Sequence, residues 1–502
     1  MSNLLYEKLF GQHAGRASTF LHLENGKIYS YDDFLRLTGR FANLLVGLGL
    51  TPGDRVAVQV DKSAETLAVY AACVQAGMVF LPLNTGYTPR EISYFLCDSG
   101  AGLLICQGEI KPQLEEVAIL SGAILRTLNA DGSGSFTKNE LDMPDTFATV
   151  DREISDLAAL LYTSGTTGRS KGAMLTQGNL LSNAQTLADL WQFSDKDNLL
   201  HALPIFHTHG LFVATNVTLI AGGSMVLLPR FDLDSLIKHM PFATSLMGVP
   251  TFYTRLLEDP RFDKSLTQNV RLFVSGSAPL LAETHMRFEE RTGHKILERY
   301  GMTETSMNTS NPYDGERRAG TVGFALPGID LKITDANTGE TLTGGEIGQI
   351  EVRGPNVFKG YWKMPEKTAQ ELREDGYFIT GDLGRIDQDG YLHIVGRNKD
   401  MIISGGYNVY PKEIEQVIDE YPGVLESAVI GVPDPDLGEV AIGILVAETG
   451  STLNLERISD TLSNSLAKFK RPRKLLVVSE LPRNTMGKVQ KNLLRDEHKS
   501  VK

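Results

Sequence analysis

The sequence predicts an α/β protein: a large amino-terminal domain of parallel-rich sheets covered by helices, with a β-barrel-like insert, followed by a small mobile α+β domain. Three observations carry this. From Tyr31 to about Tyr300, helical patterns alternate with short β-branched runs, the rhythm of parallel strands joined by helical crossovers. After Gly320 the texture changes to glycine-punctuated strands with few helical signals. From Lys399 a shorter α+β pattern takes over, so the expected domains are 1–398 and 399–502, with a hinge at Arg397 to Lys399.

In chain order the strand candidates of the large domain are Arg55 to Val60, Met78 to Leu81, Leu103 to Cys106, Leu157 to Tyr162, Leu199 to Leu203, Ser224 to Leu228, Ser245 to Val249 and Leu272 to Ser275. Many end in Gly, Pro or Ser, and ligands of such sheets gather beyond the carboxyl ends of the strands. Thr66 to Leu83 is the most apolar stretch, but Gln75, Gly77 and Pro82 interrupt it, which predicts helix, turn and buried strand rather than a membrane span. Asp131 to Ser135, DGSGS, predicts a mobile surface loop. The insert comprises GTVGFALPGIDLKITD, GEIGQIEVRG and GYFITGDLGRIDQDGYLHIVGR. The small domain should hold a strand at Met401 to Ser404, a helix at Pro411 to Tyr421, strands near Ala428 and Ile444, and a helix at Leu455 to Ala467.

Of 502 residues, 42% are hydrophobic and 22% charged, as in an ordinary globular enzyme. Lys and Arg total 49 against 61 Asp and Glu, a net charge of −12 that argues against nucleic acid or membrane partners and for small molecules. Cys73, Cys97 and Cys106 have no CxxC spacing, so neither a thiolate metal site nor a disulfide framework is expected. Met1 to Phe10 holds no apolar run, which with the cysteine usage predicts a cytoplasmic protein.

The chemistry begins at YTSGTTGRSKG, Tyr162 to Gly172, after the apolar strand Leu157 to Leu161. Three glycines, five hydroxyl residues, Arg169 and Lys171, without a carboxylate, form the composition of a phosphate cradle built on turned backbone N–H groups. Its candidate contacts are Thr163, Ser164, Gly165, Thr166, Thr167, Gly168 and Lys171. It is not a Walker loop, because Lys171 lies three residues beyond Gly168 and precedes Gly172. A surface turn is the plain alternative.

With YGMTE at Tyr300 to Glu304, YFITGD at Tyr377 to Asp382, GRNKD at Gly396 to Asp400 and PRNTMGKV at Pro482 to Val489, this segment resembles the adenylate-forming superfamily of acyl-CoA synthetases, adenylation domains and luciferases. The likeness runs over nearly the whole chain. It implies ATP, Mg²⁺ and CoA, with Asp382 and Arg397 on the ribose and Thr303 on the α-phosphate. Glu304 would hold Mg²⁺; Tyr300, Gly301 and Met302 would line the nucleotide, and Ser277, Ala278 and Pro279 its adenine. Lys488 would be the catalytic lysine of adenylation and Lys399 the pivot on which it moves. The resemblance further implies that an acetyltransferase and a deacetylase act on Lys488. SGGY, Ser404 to Tyr407, would turn in for thioester formation, and KFKRPRK, Lys468 to Lys474, offers five cations in seven residues to a CoA phosphate. A glycine turn and a solvated link are the plain readings of these two.

Acid preference is read from Arg299, which stands before Tyr300 where relatives with fatty or aromatic acids carry a small residue. Arg255, in VPTFYTRLL, offers a second cation, and a fatty tail could not compensate two buried charges as a second carboxylate would. The alternative pairs Arg299 with Glu298 or Glu289, and Arg255 with Glu258. His207 is expected to orient the reacting carboxylate, and Met307 to lie on the substrate side; His207 and His209 lack a third metal ligand. FHTHGL, ERYGMTE and PRNTMGKVQKNLLR together resemble the malonate-activating branch of the superfamily, so the expected acids are malonate and methylmalonate. The rivals are a ligase of medium-chain or aryl acids and a nucleotide sensor without catalysis.

Overall fold

A computed structural model describes residues 3–163, 170–404, 407–434, 437–484 and 487–499. Two sheets build the large domain. The first runs Ile124–Thr127, Leu103–Cys106, Arg55–Gln59, Val79–Pro82, Leu157–Thr163 and Lys171–Thr176, parallel until its last hairpin. The second has nine strands. Its parallel centre, Leu297–Met302, Leu272–Ser275, Ser245–Gly248, Asn198–His201, Ser224–Leu227 and Thr19–Leu23, is flanked at both edges by antiparallel strands.

The apolar Thr66 to Leu83 stretch explains itself here. Helix Ala64–Gln75 starts on a Ser63 cap, whose hydroxyl accepts from the Thr66 N–H, and every residue of it is buried. It lies under the first sheet and meets the helices of the second layer, where the Tyr70 ring stands 5.9 Å from Phe212 and its hydroxyl 3.4 Å from the Asn216 side chain. A helix wetted on no face shows no amphipathic stripe. Among the described residues no helix is long and apolar enough to cross a membrane.

Glycine-punctuated strands Asp330–Thr334, Gly348–Arg353, Phe378–Ile386 and Leu392–Arg397 form an antiparallel meander where the barrel-like insert is expected. The small domain's sheet pairs Tyr407–Val409, Ile402–Ser404, Gly438–Ala447 and Val424–Asp434, with Lys474–Val478 parallel to Gly438–Ala447. It carries a core on each face, one against helices Pro411–Asp419 and Leu455–Ser465, the other against Leu481 and Leu494. Asp131 to Ser135 is a fastened turn rather than a free loop: Ser133 N donates to the Asp131 carboxylate at 2.9 Å, and the Ser135 hydroxyl accepts from Thr127 N at 2.9 Å.

Candidate active site

The strands that flank the phosphate segment are antiparallel, with Thr163 opposite Lys171. Ser164, Gly165, Thr166, Thr167 and Gly168 lie outside the described residues. The Thr163 hydroxyl donates to Glu304 Oε1 at 3.4 Å, and Lys171 Nζ lies 4.1 Å from the centre of the Tyr361 ring. Tyr361 Oη stands between two carboxylates, 3.0 Å from Glu304 and 2.6 Å from Glu371. Burial pushes the Glu304 carboxyl above its ordinary range, which marks a buried anion short of positive charge. No cluster of three His, Cys, Asp or Glu that could hold a metal exists among the described residues. The buried Glu304 carboxylate is a hard oxygen donor of the kind that would suit Mg²⁺ completed by phosphate oxygens.

Glu304 is presented by a tight turn between Leu297–Met302 and Ser306–Ser310, and Thr303 lies beside it in that turn. A Cβ on Gly301 would fall 1.9 Å from the Ser306 carbonyl oxygen, so the hairpin closes this tightly only with glycine there. Met302 ends the first strand, and Met307 on the second is buried opposite Gly301. Asp382, 4% exposed, has each carboxylate oxygen held: Oδ1 lies 2.9 Å from Arg397 Nε, and Oδ2 accepts from the Tyr300 hydroxyl at 2.6 Å. Register aligns Asp382 with Arg397 directly across the meander. An anchored carboxylate of this kind suits a ribose diol.

On the acid side, Arg299 is 3% exposed and its Nε and Nη2 find no hydrogen-bond partner among the described residues. Burial pushes the guanidinium down to about 9. Its neighbour Glu298 faces His285, 3.7 Å away, and Glu289 meets Lys295, so neither carboxylate neutralises Arg299. The guanidinium lies across Gly276, where a Cβ would come within 2.5 Å of its central carbon. His207 and His209 are held neutral by burial, with Arg299 adding to it, and His207 is pushed down to about 3. His209 Nδ1 lies 3.2 Å from the Ser277 hydroxyl while its Nε2 has no partner among the described residues. Ser277 holds a left-handed backbone at φ 73°, strain of the kind found at ligand clamps, and Ala278 and Pro279 continue that loop.

Arg255 is a correction. Helix Pro250–Glu258 turns Phe252, Tyr253, Leu256 and Leu257 inward, which leaves Arg255 outward at about 100° per residue. It is exposed over the Phe231 ring at 5.5 Å, in a surface depression with Asp232, Glu258 and Asp259. The structure does not bring it to Arg299.

Lys488 arrives from the small domain on a short hairpin in which Arg483 bridges Val489 and Lys488 N donates to the Asn484 side chain at 3.0 Å. Gly487, at φ 72°, faces Thr251 of the large domain, and Thr485 and Met486 lie outside the described residues. Burial pushes the ammonium down to about 8; Arg397 and Arg299 push the same way, while Asp382 and Glu304 oppose them. Lys488 thus lies in the field of Arg397, Asp382, Glu304 and Arg299 together. Lys399 sits in the turn Asn398–Asp400 between the meander and the small domain's sheet, where Asp400 pairs with Arg495. Gly405 and Gly406 of SGGY are outside the described residues; Tyr407 stacks on Phe469 of the basic segment at 4.6 Å. Sequence reasoning missed Gly276, Tyr361 and Glu371. Of these only Gly276, inside the SGSAPL run, carried a local signal.

Comparison with known proteins adds lineage. Residues 10–362 match the family described as AMP-binding enzyme, and residues 413–488 the AMP-binding enzyme C-terminal domain. A malonate–CoA ligase of Arabidopsis thaliana is 33% identical over 98% of this chain and 88% of its own. A feruloyl-CoA synthase of Amycolatopsis is 38% identical over 94% of each. ATP-bound MatB from Rhodopseudomonas palustris is 55% identical over 100% of both chains with a TM-score of 0.98, whereas the apo form of that protein gives 0.87. The chain as a whole overlays more closely on the nucleotide-bound form.

Proposed function

The chain is a member of the AMP-binding enzyme family, an adenylate-forming CoA ligase, and from that premise we propose that its acid is malonate, with methylmalonate accepted as well. The observation that carries this is the buried, unneutralised guanidinium of Arg299. One malonate carboxylate pairs with Arg299; the other attacks the α-phosphorus of ATP, forming a carboxyl–phosphate bond as pyrophosphate leaves. The CoA sulfur then attacks the adenylate's carbonyl carbon, its thiol proton going to solvent and AMP leaving.

Each residue has a place in this scheme. Asp382 and Arg397 hold the ribose, Thr303 the α-phosphate, and Tyr300, Gly301, Met302, Ser277, Ala278 and Pro279 the remaining nucleotide surface. Glu304 would hold Mg²⁺, which supplies charge neutralisation at the phosphates. Neutral His207 orients the reacting carboxylate by hydrogen bonding without competing for Arg299's charge, and Met307 closes the acid side. Lys488 neutralises the attacking carboxylate and the α-phosphate as charge builds between them. The domains divide at 398/399, and turning about Lys399 withdraws Lys488 and admits CoA. The resemblance of the conformation to ATP-bound MatB supports adenylation as the step displayed here.

The test is selectivity. Malonate should exceed butyrate by at least about a thousandfold in kcat/KM, because an apolar chain end leaves a buried cation unpaired. Pyrophosphate release over a panel of acids measures it. Comparable rates with butyrate would overturn the dicarboxylate assignment.

A further inference from the structure

The geometry points to Glu371 as a positioning residue for Lys171, holding the hairpin's cation ready for the phosphates of ATP; this rests on reading Lys171 as a phosphate contact. Glu371 ends helix Pro365–Glu371, where an acidic side chain opposes the helix dipole, so local helix preference does not account for it. Three donors do. Lys367 Nζ lies 2.8 Å from Oε1, the Tyr361 hydroxyl 2.6 Å from Oε2, and Lys171 Nζ 3.4 and 3.3 Å from the two oxygens.

The last two distances decide what the pair can do. A closed ammonium–carboxylate hydrogen bond spans about 2.7–2.9 Å. At 3.3 Å Lys171 is confined without its donors being consumed, and the Tyr361 ring beneath it closes the route inward. A long lysine side chain otherwise samples many rotamers, and holding it in one lowers the entropy lost when it meets a phosphate. Tyr361 also ties this pair to Glu304, so the hairpin's cation and the carboxylate expected to hold Mg²⁺ share one hydroxyl as a common post.

Glu371→Gln keeps an acceptor for Tyr361 and removes the charge that confines Lys171. It should raise the KM for ATP about tenfold, the scale of one lost charge-assisted contact. The KM for malonate, and the rate of thioester formation from preformed malonyl-adenylate, should stay at wild-type values. Lys171→Ala should raise the KM for ATP similarly, and the double variant should be no worse than Lys171→Ala alone. An unchanged KM for ATP in Glu371→Gln would overturn the role. A lowered one would show Glu371 competing with the phosphates, and equal losses in the malonate and thioester readings would show a merely structural contact; either also overturns it. A wild-type KM for ATP in Lys171→Ala would remove the phosphate role of Lys171 and the proposal with it, whereas failure of the malonate reading would appear only in the acid panel. Melting temperatures of all three variants control for folding.

Discussion

A guanidinium withdrawn from water with two of its donors unmet is a standing cost to the free enzyme, and Arg299 is kept in that condition. Arg299→Met should therefore separate stability from function. Filling the space with an apolar chain should stabilise the substrate-free protein by about 1–3 kcal/mol, while kcat/KM for malonate falls by about a thousandfold. Thermal unfolding and pyrophosphate release read the two, and a variant less stable than the parent would mean Arg299 is compensated by contacts other than substrate. Lys488 gives a second prediction, in pH. Its ammonium, pushed down to about 8, is the active form, so kcat/KM for adenylation should be level below that pH and fall as pH rises through it. Lys488→Arg, whose guanidinium holds its proton more tightly, should move that alkaline limb upward, toward the range in which Arg299 loses its proton, at whatever rate it retains. An unmoved limb in Lys488→Arg would assign the titration elsewhere.

Among elements, the end of strand Leu272–Ser275 has the most direct influence on the acid. Gly276 follows it with no left-handed backbone to preserve, so alanine avoids that strain there, and the three atoms nearest its Cβ all belong to the Arg299 guanidinium. Gly276→Ala should raise the KM for malonate about tenfold or more by displacing Arg299, and leave the KM for ATP unchanged. Steady-state kinetics on both substrates decides it, and a parallel rise in both would mean the whole loop had moved. The eight strand candidates of the large domain were legible because buried parallel strands are continuous apolar runs closed by small residues. Lys171–Thr176 was not, since KGAMLT opens on a cation and a glycine and lacks both alternation and a long apolar run. Arg255 lies outside the site because the helix after strand Ser245–Gly248 turns its apolar residues inward and leaves Arg255 in solvent, a phase that the mixed run VPTFYTRLL does not reveal by itself. Tyr361 and Glu371 reach Glu304 and Lys171 only through the fold, from 57 and 200 residues away, beyond any local pattern.

At the scale of the whole molecule, the small domain brings its hairpin against the large one with Lys488 inside the cleft, so chemistry done to Lys488 reports on closure. Acetylation of Lys488 should be at least about tenfold slower with ATP and malonate bound than without, as expected when modification requires opening. Exposed Lys499 should acetylate equally in both conditions, and site mapping by mass spectrometry compares the two. Equal rates at Lys488 would mean that ligands do not hold the cleft shut. Helix Ala64–Gln75 has a different consequence, one for biosynthesis. Its outer face is completed by Phe212 and Asn216, which leave the ribosome some 141 residues after Gln75 (216 − 75), roughly 7 to 28 seconds later at ordinary elongation rates. Through that interval the helix has its inner partners but lacks the cover of its outer face. The same burial that joins the finished enzyme's two layers leaves one face of this helix uncovered during synthesis until the second layer emerges.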